Sequence, residues 1–197
     1  MQSKALVRKE LRRRRKSLAP ADHAARSLQA ARVITRLAQF RHGSRVALTL
    51  SFDGECDTAP LIAAARRRGV RLYTPVVVGK RRRALRFYPL GGRTRRGTYG
   101  IEVPLRTVTP LSPRWFDLVV VPLVGIDPQG RRLGMGGGYY DTSFAFRRQR
   151  RAWRGPRLVG FAFDCQRADS VHADAWDLRL DALATESGLH PFWRDHS

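Results

Sequence analysis

The sequence has few cysteines and histidines, and their spacing excludes the common metal and disulfide frameworks. The two cysteines, Cys56 and Cys165, lie far apart and form no Cys-x-x-Cys motif. The five histidines include no pair at the spacing of metal ligands on a helix. We therefore expect neither a structural zinc site nor a disulfide framework, and we expect both cysteines to lie in or near the core.

Long apolar runs are also missing from the sequence. No segment approaches the roughly 20 apolar residues of a membrane span. The first residues, Met1 to Arg8, contain no apolar stretch of signal-peptide length before basic residues accumulate. We therefore expect a cytoplasmic protein. The 197 residues suffice for one domain with a substantial core, which we expect to cover positions 1–197.

Acidic residues are scarce relative to basic ones. The chain has 16 Asp and Glu against 38 Lys and Arg, which gives a formal charge of +22. Arginine runs occur at 12–15, 66–68 and 81–83. Such a charge attracts polyanions, and RNA, DNA, anionic lipid, nucleotides and polycarboxylate substrates all qualify. Each run taken alone is most simply a solvated surface, so charge does not select among these partners.

Apolar residues recur at helical spacing in several segments, which predicts helices. The predicted helices are residues 4–18, Pro20 to near Gly43, a third that is capped by Asp57 or Thr58 and stops at Gly69, and residues 140–153. On the first helix one side carries four basic residues: Lys4, Arg8, Arg12 and Arg15.

Short apolar runs between the helices predict strands that are covered on both faces. The predicted strands are residues 46–52, 70–78 with a break at Pro75, 85–88, 118–126, 158–163 and 182–185. We expect the Gly- and Pro-rich stretch 91–113 to be loop. The alternation of helix and strand predicts one layered α/β domain with a mainly parallel sheet flanked by helices. Ligands of such sheets bind at the carboxyl ends of the strands.

A glycine-rich turn follows the strand at 118–126. It contains Arg131, Arg132 and the run Gly136-Gly137-Gly138, and it leads into the predicted helix at 140–153. Glycines let successive backbone N–H groups approach an oxyanion, and a helix N-terminus adds further donors. The turn therefore predicts a phosphate site. An isolated glycine triplet would instead be read as a flexible surface turn, and the flanking arginines and aromatic residues favour the site.

The glycine turn differs from two common nucleotide motifs. A Walker loop ends in Gly-Lys-Ser/Thr, but Gly138 is followed by Tyr139. A dinucleotide fold has its glycines directly after the strand and a third glycine where Tyr139 stands. A dinucleotide oxidoreductase is therefore disfavoured. The other competing interpretation is a non-catalytic RNA- or DNA-binding module. The positive charge favours this interpretation, but the sequence lacks the aromatic-basic motif of the common RNA-binding sheets.

Four sequence blocks occur together and in order, at a spacing that fills the chain. They are Lys4–Arg8, Leu50–Thr58, Arg132–Asp141 and Trp176–Asp181. On these blocks the chain resembles the 5-formyltetrahydrofolate cyclo-ligase family, also called methenyltetrahydrofolate synthetases. The resemblance covers essentially the whole chain and implies a Rossmann-like α/β fold.

The resemblance also implies an activity. Members use MgATP to close 5-formyltetrahydrofolate into 5,10-methenyltetrahydrofolate, releasing ADP and phosphate. The formyl oxygen is first phosphorylated and N10 then attacks the activated carbon. Catalysis by positioning and charge neutralisation suffices, so no nucleophilic side chain is expected. A monomer without a membrane or a specific nucleic-acid partner is implied.

The matching blocks imply roles for particular residues. ATP binding is implied for Lys4, Arg8, Arg132, Leu133, Gly134, Met135, Gly136, Gly137, Gly138, Tyr139 and Tyr140. Folate binding is implied for Leu50, Glu55, Met135, Gly136, Gly137, Gly138 and Tyr139. Asp141 and Asp177 are implied to hold Mg²⁺, directly or through water, which suits hard oxygen ligands.

Simpler roles compete with several of these assignments. Glu55 could pair with an arginine, Leu50 could be core, and Asp141 could be a favourable acid in a first helical turn. The two tyrosines, Tyr139 and Tyr140, could pack as ordinary aromatic residues, although one of them could stack on a ring. The glycine block itself has no basic residue, so charge compensation for phosphates has to come partly from elsewhere.

Overall fold

The computed structural model describes residues 3–78, 84–91, 94–96, 102–104, 109–148 and 155–192. The helices are α1 (Lys4–Lys16), α2 (Pro20–Thr35), α3 (Ala59–Arg68) and α4 (Tyr139–Ser143). Short 3-10 helices cover Pro113–Trp115, Ala145–Arg148 and Asp164–Gln166. The strands are β1 (Arg45–Leu48), β2 (Arg71–Val78), β3 (Ala84–Pro89), β4 (Thr94–Arg96), β5 (Glu102–Pro104), β6 (Leu118–Pro122), β7 (Gly125–Ile126), β8 (Arg132–Leu133), β9 (Arg157–Phe161), β10 (Ala182–Thr185) and β11 (Gly188–Pro191).

A seven-stranded sheet in the order β11-β10-β9-β6-β1-β2-β3 organises the fold. All neighbours from β10 to β2 are parallel, whereas β3 and β11 are antiparallel at the two edges. Two separate hairpins are formed by β4 with β5 and by β7 with β8. The predicted α/β fold with a mainly parallel, helix-flanked sheet is confirmed.

Side chains of the central strands alternate between two apolar clusters, as a strand covered on both faces requires. Val46 and Val120 belong to the cluster that packs against α2 and α3. Ala47 and Val119 belong to the cluster on the other face, which includes Phe144. The uniform apolar character of β1 and β6 follows from this double burial.

Helix α3 begins and ends as its sequence predicts. The carboxylate of Asp57 accepts a hydrogen bond from the backbone N–H of Ala59 at 2.9 Å, and Pro60 stands in the first turn. Gly69 ends the helix with φ +65°, a left-handed conformation that glycine adopts without Cβ strain. The chain then enters β2 directly.

Several predicted boundaries were wrong. Strand β2 continues through Pro75, because that residue lies beyond the part of β2 that pairs with β1 and loses no ladder bond there. The strand predicted at 118–126 is two strands, β6 and β7, separated after Pro122. Helix α2 ends at Thr35, well before Gly43. The loop predicted at 91–113 contains β4 and β5, and β11 was not predicted.

The helix predicted at 140–153 was also wrong in length. Helix α4 has five residues and is followed by the 3-10 helix Ala145–Arg148, while residues 149–154 lie outside the described ranges. Phe144 ends α4 with φ −109° as its ring packs in the core, parallel to the ring of Tyr140. A helix this short adds little macrodipole, so the predicted phosphate site would depend on the turn itself and on side-chain cations.

Candidate functional site

The carboxyl edge of the sheet brings the predicted polar segments together. The hydroxyl of Thr49, directly after β1, is hydrogen-bonded to the hydroxyl of Tyr140 at 2.7 Å. The amide nitrogen of Gln166, which follows β9, donates to the carbonyl oxygens of Leu123 and Val124 after β6 at 2.9 and 3.1 Å. The ends of β1, β6 and β9 therefore form one connected surface, as expected from the parallel sheet.

The glycine turn follows the β7–β8 hairpin and presents exposed backbone. Gly136 and Gly138 have φ of +98° and +66°, a region that L side chains rarely adopt. Met135 is 46% exposed beside them. The turn therefore leaves main-chain groups open to a ligand, although the dinucleotide and Walker patterns are both absent from its sequence.

Arg8 supplies the charge that the glycine block lacks. Its Nε donates to the carbonyl oxygen of Gly134 at 2.9 Å. Its Nη2 lies 3.8 Å from the position that a Cβ on Gly136 would occupy. Helix α1 is held over the turn by Val7 and Leu11, which pack against Leu133 and other buried residues. Arg8, on the predicted basic side of α1, thus faces the predicted phosphate site.

Arg132 stands under the turn and contacts an acid. It is 7% exposed, and its Nη2 donates to Oδ1 of Asp141 at 3.0 Å. Its guanidinium also lies over the ring of Tyr140, 5.3 Å from the centroid. The same Oδ1 of Asp141 accepts a hydrogen bond from the backbone N–H of Leu178 at 2.9 Å. Asp141 therefore ties the turn to the segment that carries Asp177.

Lys4 is bound by two carboxylates at this point. Its Nζ lies 2.6 Å from Oδ2 of Asp174 and 2.9 Å from Oδ2 of Asp177. Partial burial acts to lower the pKa of Lys4, but the hydrogen bonds to Asp174 and Asp177 outweigh it and raise that pKa above its usual value. Asp174 was missed by sequence reasoning, and its only signal was an acid three residues before Asp177.

The donors at this point suit magnesium. In the part of the chain that the structure describes, no three His, Cys, Asp or Glu residues are grouped as a metal site. Mg²⁺ does not need such a cage, because it usually takes one or two carboxylates and completes its shell with water and substrate phosphates. Asp141 and Asp177 are carboxylates of this kind beside the turn, and the residues present fit the ion.

A second charge cluster holds the loop after β1 against α1. Oδ2 of Asp53 accepts hydrogen bonds from Nη2 of Arg12 at 2.7 Å and from Nη2 of Arg15 at 3.3 Å. Asp53 also forms an ion pair with Lys16. Partial burial acts to raise the pKa of Asp53, but hydrogen bonds from Lys16 and Arg12 outweigh it and lower that pKa. The side chain of Arg15 is completely buried and also donates to the backbone carbonyl of Asp53 at 2.8 Å.

Glu55 lies on this loop at the predicted folate-binding position. Burial raises the pKa of its carboxyl to about 7, although the nearby charge of Arg15 opposes the shift. Glu55 lines a small cavity of about 10 Å³ together with Pro122, the last residue of β6, and Phe161, the last residue of β9. Leu50 is partly buried and packs against the core cluster that contains α2 and α3. Leu50 and Glu55, the two predicted folate-binding residues outside the glycine turn, therefore lie at the same edge of the sheet as that turn.

The two tyrosines of the turn differ in burial, and its two arginines bind different carboxylates. Tyr140 is core, and burial raises the pKa of its hydroxyl to about 12. Tyr139 is partly exposed and remains accessible to a ligand. Arg131 is bound to the buried carboxylate of Asp127 at 2.9 Å and contributes to the turn's structure, whereas Arg132 is bound to Asp141.

Two concavities border α1. One of about 320 Å³ is lined by Arg8 and further cations of the same helix face, including Lys9 and Arg12. Another of about 780 Å³ lies between α1 and residues 167–172, and none of the predicted site residues lines it. We place the site at the glycine turn and not in the larger space, because cations, open backbone and strand ends converge only around the turn within the described residues.

Comparisons with known proteins identify relatives of the chain. The sequence model of the 5-formyltetrahydrofolate cyclo-ligase family matches residues 1–186. The 5-formyltetrahydrofolate cyclo-ligase of Escherichia coli K12 is 35% identical over 184 residues, covering 90% of this chain and 97% of the relative. That of Haemophilus influenzae is 30% identical and covers 91% and 95% of the two chains.

Solved structures show the same fold. The structure of Aquifex aeolicus 5,10-methenyltetrahydrofolate synthetase superposes with a TM-score of 0.82 at 27% identity, covering 98% of this chain and 95% of that one. The Mycoplasma pneumoniae synthetase superposes with a TM-score of 0.72 at 21% identity, covering 94% and 99%, which supports the fold alone.

Fold, site and relatives together define the class of protein: an ATP-using ligase of folate one-carbon metabolism. The chain belongs to the 5-formyltetrahydrofolate cyclo-ligase family, whose reaction converts 5-formyltetrahydrofolate to 5,10-methenyltetrahydrofolate with ATP.

Proposed function

We propose that the chain catalyses this conversion in two chemical steps at the carboxyl edge of the sheet. The formyl oxygen of the folate attacks the γ-phosphorus of ATP, and the bond to the β-phosphate oxygen breaks to release ADP. N10 then attacks the activated formyl carbon and loses its proton, and the bond from this carbon to the phosphorylated oxygen breaks. Phosphate departs with that oxygen, which leaves the methenyl bridge between N5 and N10.

The placement of Arg8 on the glycine turn carries this proposal. The exposed backbone at Gly136–Gly138 supplies N–H donors for phosphate oxygens, and Arg8 supplies a cation at the same point. Lys4 lies on the same helix face and can exchange its carboxylate partners for phosphate when nucleotide enters. Arg132 to Tyr140 then wraps the nucleotide, with Arg132 oriented by Asp141.

Magnesium fits beside these groups. We assign it to Asp141 and Asp177, directly or through water, and when bound it would neutralise charge on the phosphate oxygens. The hydrogen bonds of Asp141 to Arg132 and to the backbone of Leu178 hold its carboxylate in one orientation. The two acids thus keep a fixed place next to the turn.

The folate is assigned to the region between the β1 loop and the turn. Glu55 accepts hydrogen bonds from the donor edge of the pterin ring, and Leu50 gives an apolar contact. Met135 to Tyr139 contacts the folate from the opposite side, since Met135 is exposed and Tyr139 accessible. Side chains from both sides hold the formyl group near the γ-phosphate, which lowers the entropic cost of reaction.

We further propose that residues 1–197 form one domain that acts as a cytoplasmic monomer. Its central sheet draws on segments from Arg45 to Pro191 and is covered by an apolar cluster on each face. No helix in the described residues is long and apolar enough to span a membrane.

An assay of the purified protein tests the proposed function. Incubation with 5-formyltetrahydrofolate and MgATP is expected to produce methenyltetrahydrofolate, seen by its near-ultraviolet absorbance, and one ADP for each product molecule. Failure to form either product with folded protein would reject the proposal. ADP formed without methenyltetrahydrofolate would reject the coupling of the two steps.

Gly136→Ala is expected to raise the KM for ATP about tenfold. Alanine is strained at φ +98°, and its Cβ would stand 3.8 Å from Arg8 at the phosphate-binding surface. Gly91→Ala is the matched control, because Gly91 has φ +118°, no atom lies within 4 Å of the position that its Cβ would take, and it lies away from the site. Steady-state kinetics with varied ATP measure both, and an equal KM for the two variants would contradict the role of the turn.

Affinity for the folate is expected to fall as the pH drops through about 7. The pKa of Glu55 is raised to about 7, so its carboxylate is ionised above that pH and protonated below it. Only the carboxylate accepts hydrogen bonds with both oxygens, and each pH unit below 7 reduces the ionised fraction about tenfold. Kd for 5-formyltetrahydrofolate measured from pH 5.5 to 8.5 checks this, and Glu55→Gln should flatten the profile. An unchanged slope in Glu55→Gln would assign the titration to another group.

A further inference from the structure

The amino edge of the sheet, opposite the candidate site, is rich in arginine. We call it the amino-edge surface, and its members lie at the starts of the parallel strands, after α2 and at the end of α3. They are Arg36, Arg41, Arg45, Arg66, Arg67, Arg68, Arg71, Arg114 and Arg157. Backbone contacts join these segments, since Asp117 N–H donates to Arg45 O and Arg157 N–H donates to Asp117 O. The proposed reaction uses none of these arginines.

One part of this surface is concave. A cavity of about 430 Å³ is lined by Arg45, Arg114 and Arg157 together with Trp115. Trp115 is 52% exposed, which is unusual for so large an apolar side chain between charged neighbours. Asp117 also lines the cavity and lies 3.8 Å from Nε of Arg45, so the cavity lining holds three arginines and one carboxylate.

Packing fixes the position of these side chains. Phe116 is 4% exposed and makes edge contacts with the rings of Tyr73 and Phe87, which anchors the 3-10 helix Pro113–Trp115 at the start of β6. The guanidinium of Arg114 lies over the ring of Phe146, 4.7 Å from its centroid. The core therefore presents Trp115 and Arg114 outward on a rigid support.

We propose that this cavity binds single-stranded nucleic acid without sequence preference. Phosphates contact Arg45, Arg114 and Arg157, and one base stacks on the indole of Trp115. Cations alone would suit any polyanion, and the exposed indole adds a partner for an unstacked base. A duplex keeps its bases stacked and offers them no contact with the indole. The remaining arginines of the amino-edge surface provide further cations for neighbouring phosphates.

This site is independent of the proposed reaction, because the candidate active site lies at the carboxyl ends of the same strands. Nucleic acid bound at the amino edge leaves the glycine turn open. The chain can therefore keep its ligase activity while held on RNA or single-stranded DNA.

Fluorescence anisotropy with a labelled 12-nucleotide single strand of mixed sequence tests the proposal. RNA and DNA of this length are expected to bind the full chain, and a duplex of the same sequence at least about tenfold more weakly. Trp115→Ala should weaken single-strand binding about 5- to 150-fold, as loss of one stacked base implies, and Trp115→Phe should retain most of it. Arg114→Gln should reduce the salt slope of log K by about 0.7.

Two matched controls make the test decisive. Trp176→Ala removes an indole that is 63% exposed beside the metal-binding acids, and Arg86→Gln removes an exposed arginine on β3. Neither should change binding more than about twofold. Equal losses in Trp115→Ala and Trp176→Ala, duplex binding as tight as single-strand binding, or no binding at 150 mM salt would each overturn the proposal. Thermal melting of every variant shows that the fold is retained, and ligase activity gives the same check for the Trp115 and Arg114 variants.

Discussion

Asp141→Asn is expected to lower kcat by roughly 100- to 1000-fold while leaving the Kd for 5-formyltetrahydrofolate within about threefold. The asparagine oxygen can still accept from Arg132 and from the backbone of Leu178, so the turn keeps its shape. The negative charge that we assign to magnesium is lost. The phosphoryl group is then less neutralised during transfer, but the pterin contacts that we propose at Glu55 are unaffected.

The measurement separates these effects. Single-turnover kinetics give the rate, and equilibrium binding of the folate gives the affinity. The matched control is Asp117→Asn, which removes an acid at the opposite edge of the sheet and should leave kcat within about twofold. An unchanged rate and magnesium dependence in Asp141→Asn would remove Asp141 from the site.

Arg15→Met is expected to destabilise the fold by about 3 kcal/mol and to raise the KM for the folate. The Arg15 side chain is completely buried, and its loss leaves the backbone carbonyl of Asp53 without its donor. The carboxyl of Glu55 also loses the cation that lowers its pKa, so that pKa rises further. The loop that carries the predicted folate contacts is thereby loosened.

Arg12→Met provides the comparison for Arg15. Arg12 pairs with the same carboxylate, but its side chain is 37% exposed, so solvent replaces much of the interaction. Urea unfolding should show a loss below about 1 kcal/mol for Arg12→Met. Equal losses in the two variants would show that burial of Arg15 does not matter.

The parts of the fold set by local physical signals could be predicted from the sequence. Double burial of β1 and β6 requires unbroken apolar runs, so the presence of both strands was predicted correctly, although the run at 118–126 is divided into β6 and β7. The left-handed Gly69 marks the end of α3, which was also predicted correctly. The length of α4 could not be read in this way. It depends on Phe144, whose ring packs between distant strands and whose backbone leaves the helix, and local periodicity carries no signal of that contact.

The candidate site could likewise be predicted from the sequence only in part. The basic face of α1 follows from helical spacing, and its orientation toward the glycine turn was implied only by the family resemblance. The bond from Arg8 to the carbonyl of Gly134 spans 126 positions of sequence and needs the folded chain to be seen. The same holds for the Lys4 contact with Asp174, because an isolated acid in a loop has no periodic pattern to identify it.

A crystal structure with 5-formyltetrahydrofolate, a non-hydrolysable ATP analogue and magnesium tests the central assignment most directly. We expect γ-phosphate oxygens within about 3.2 Å of backbone nitrogens of residues 136–138 and of the Arg8 guanidinium, with the pterin next to Glu55. A nucleotide bound elsewhere, for instance in the cavity beside residues 167–172, with the glycine turn empty, would contradict this assignment.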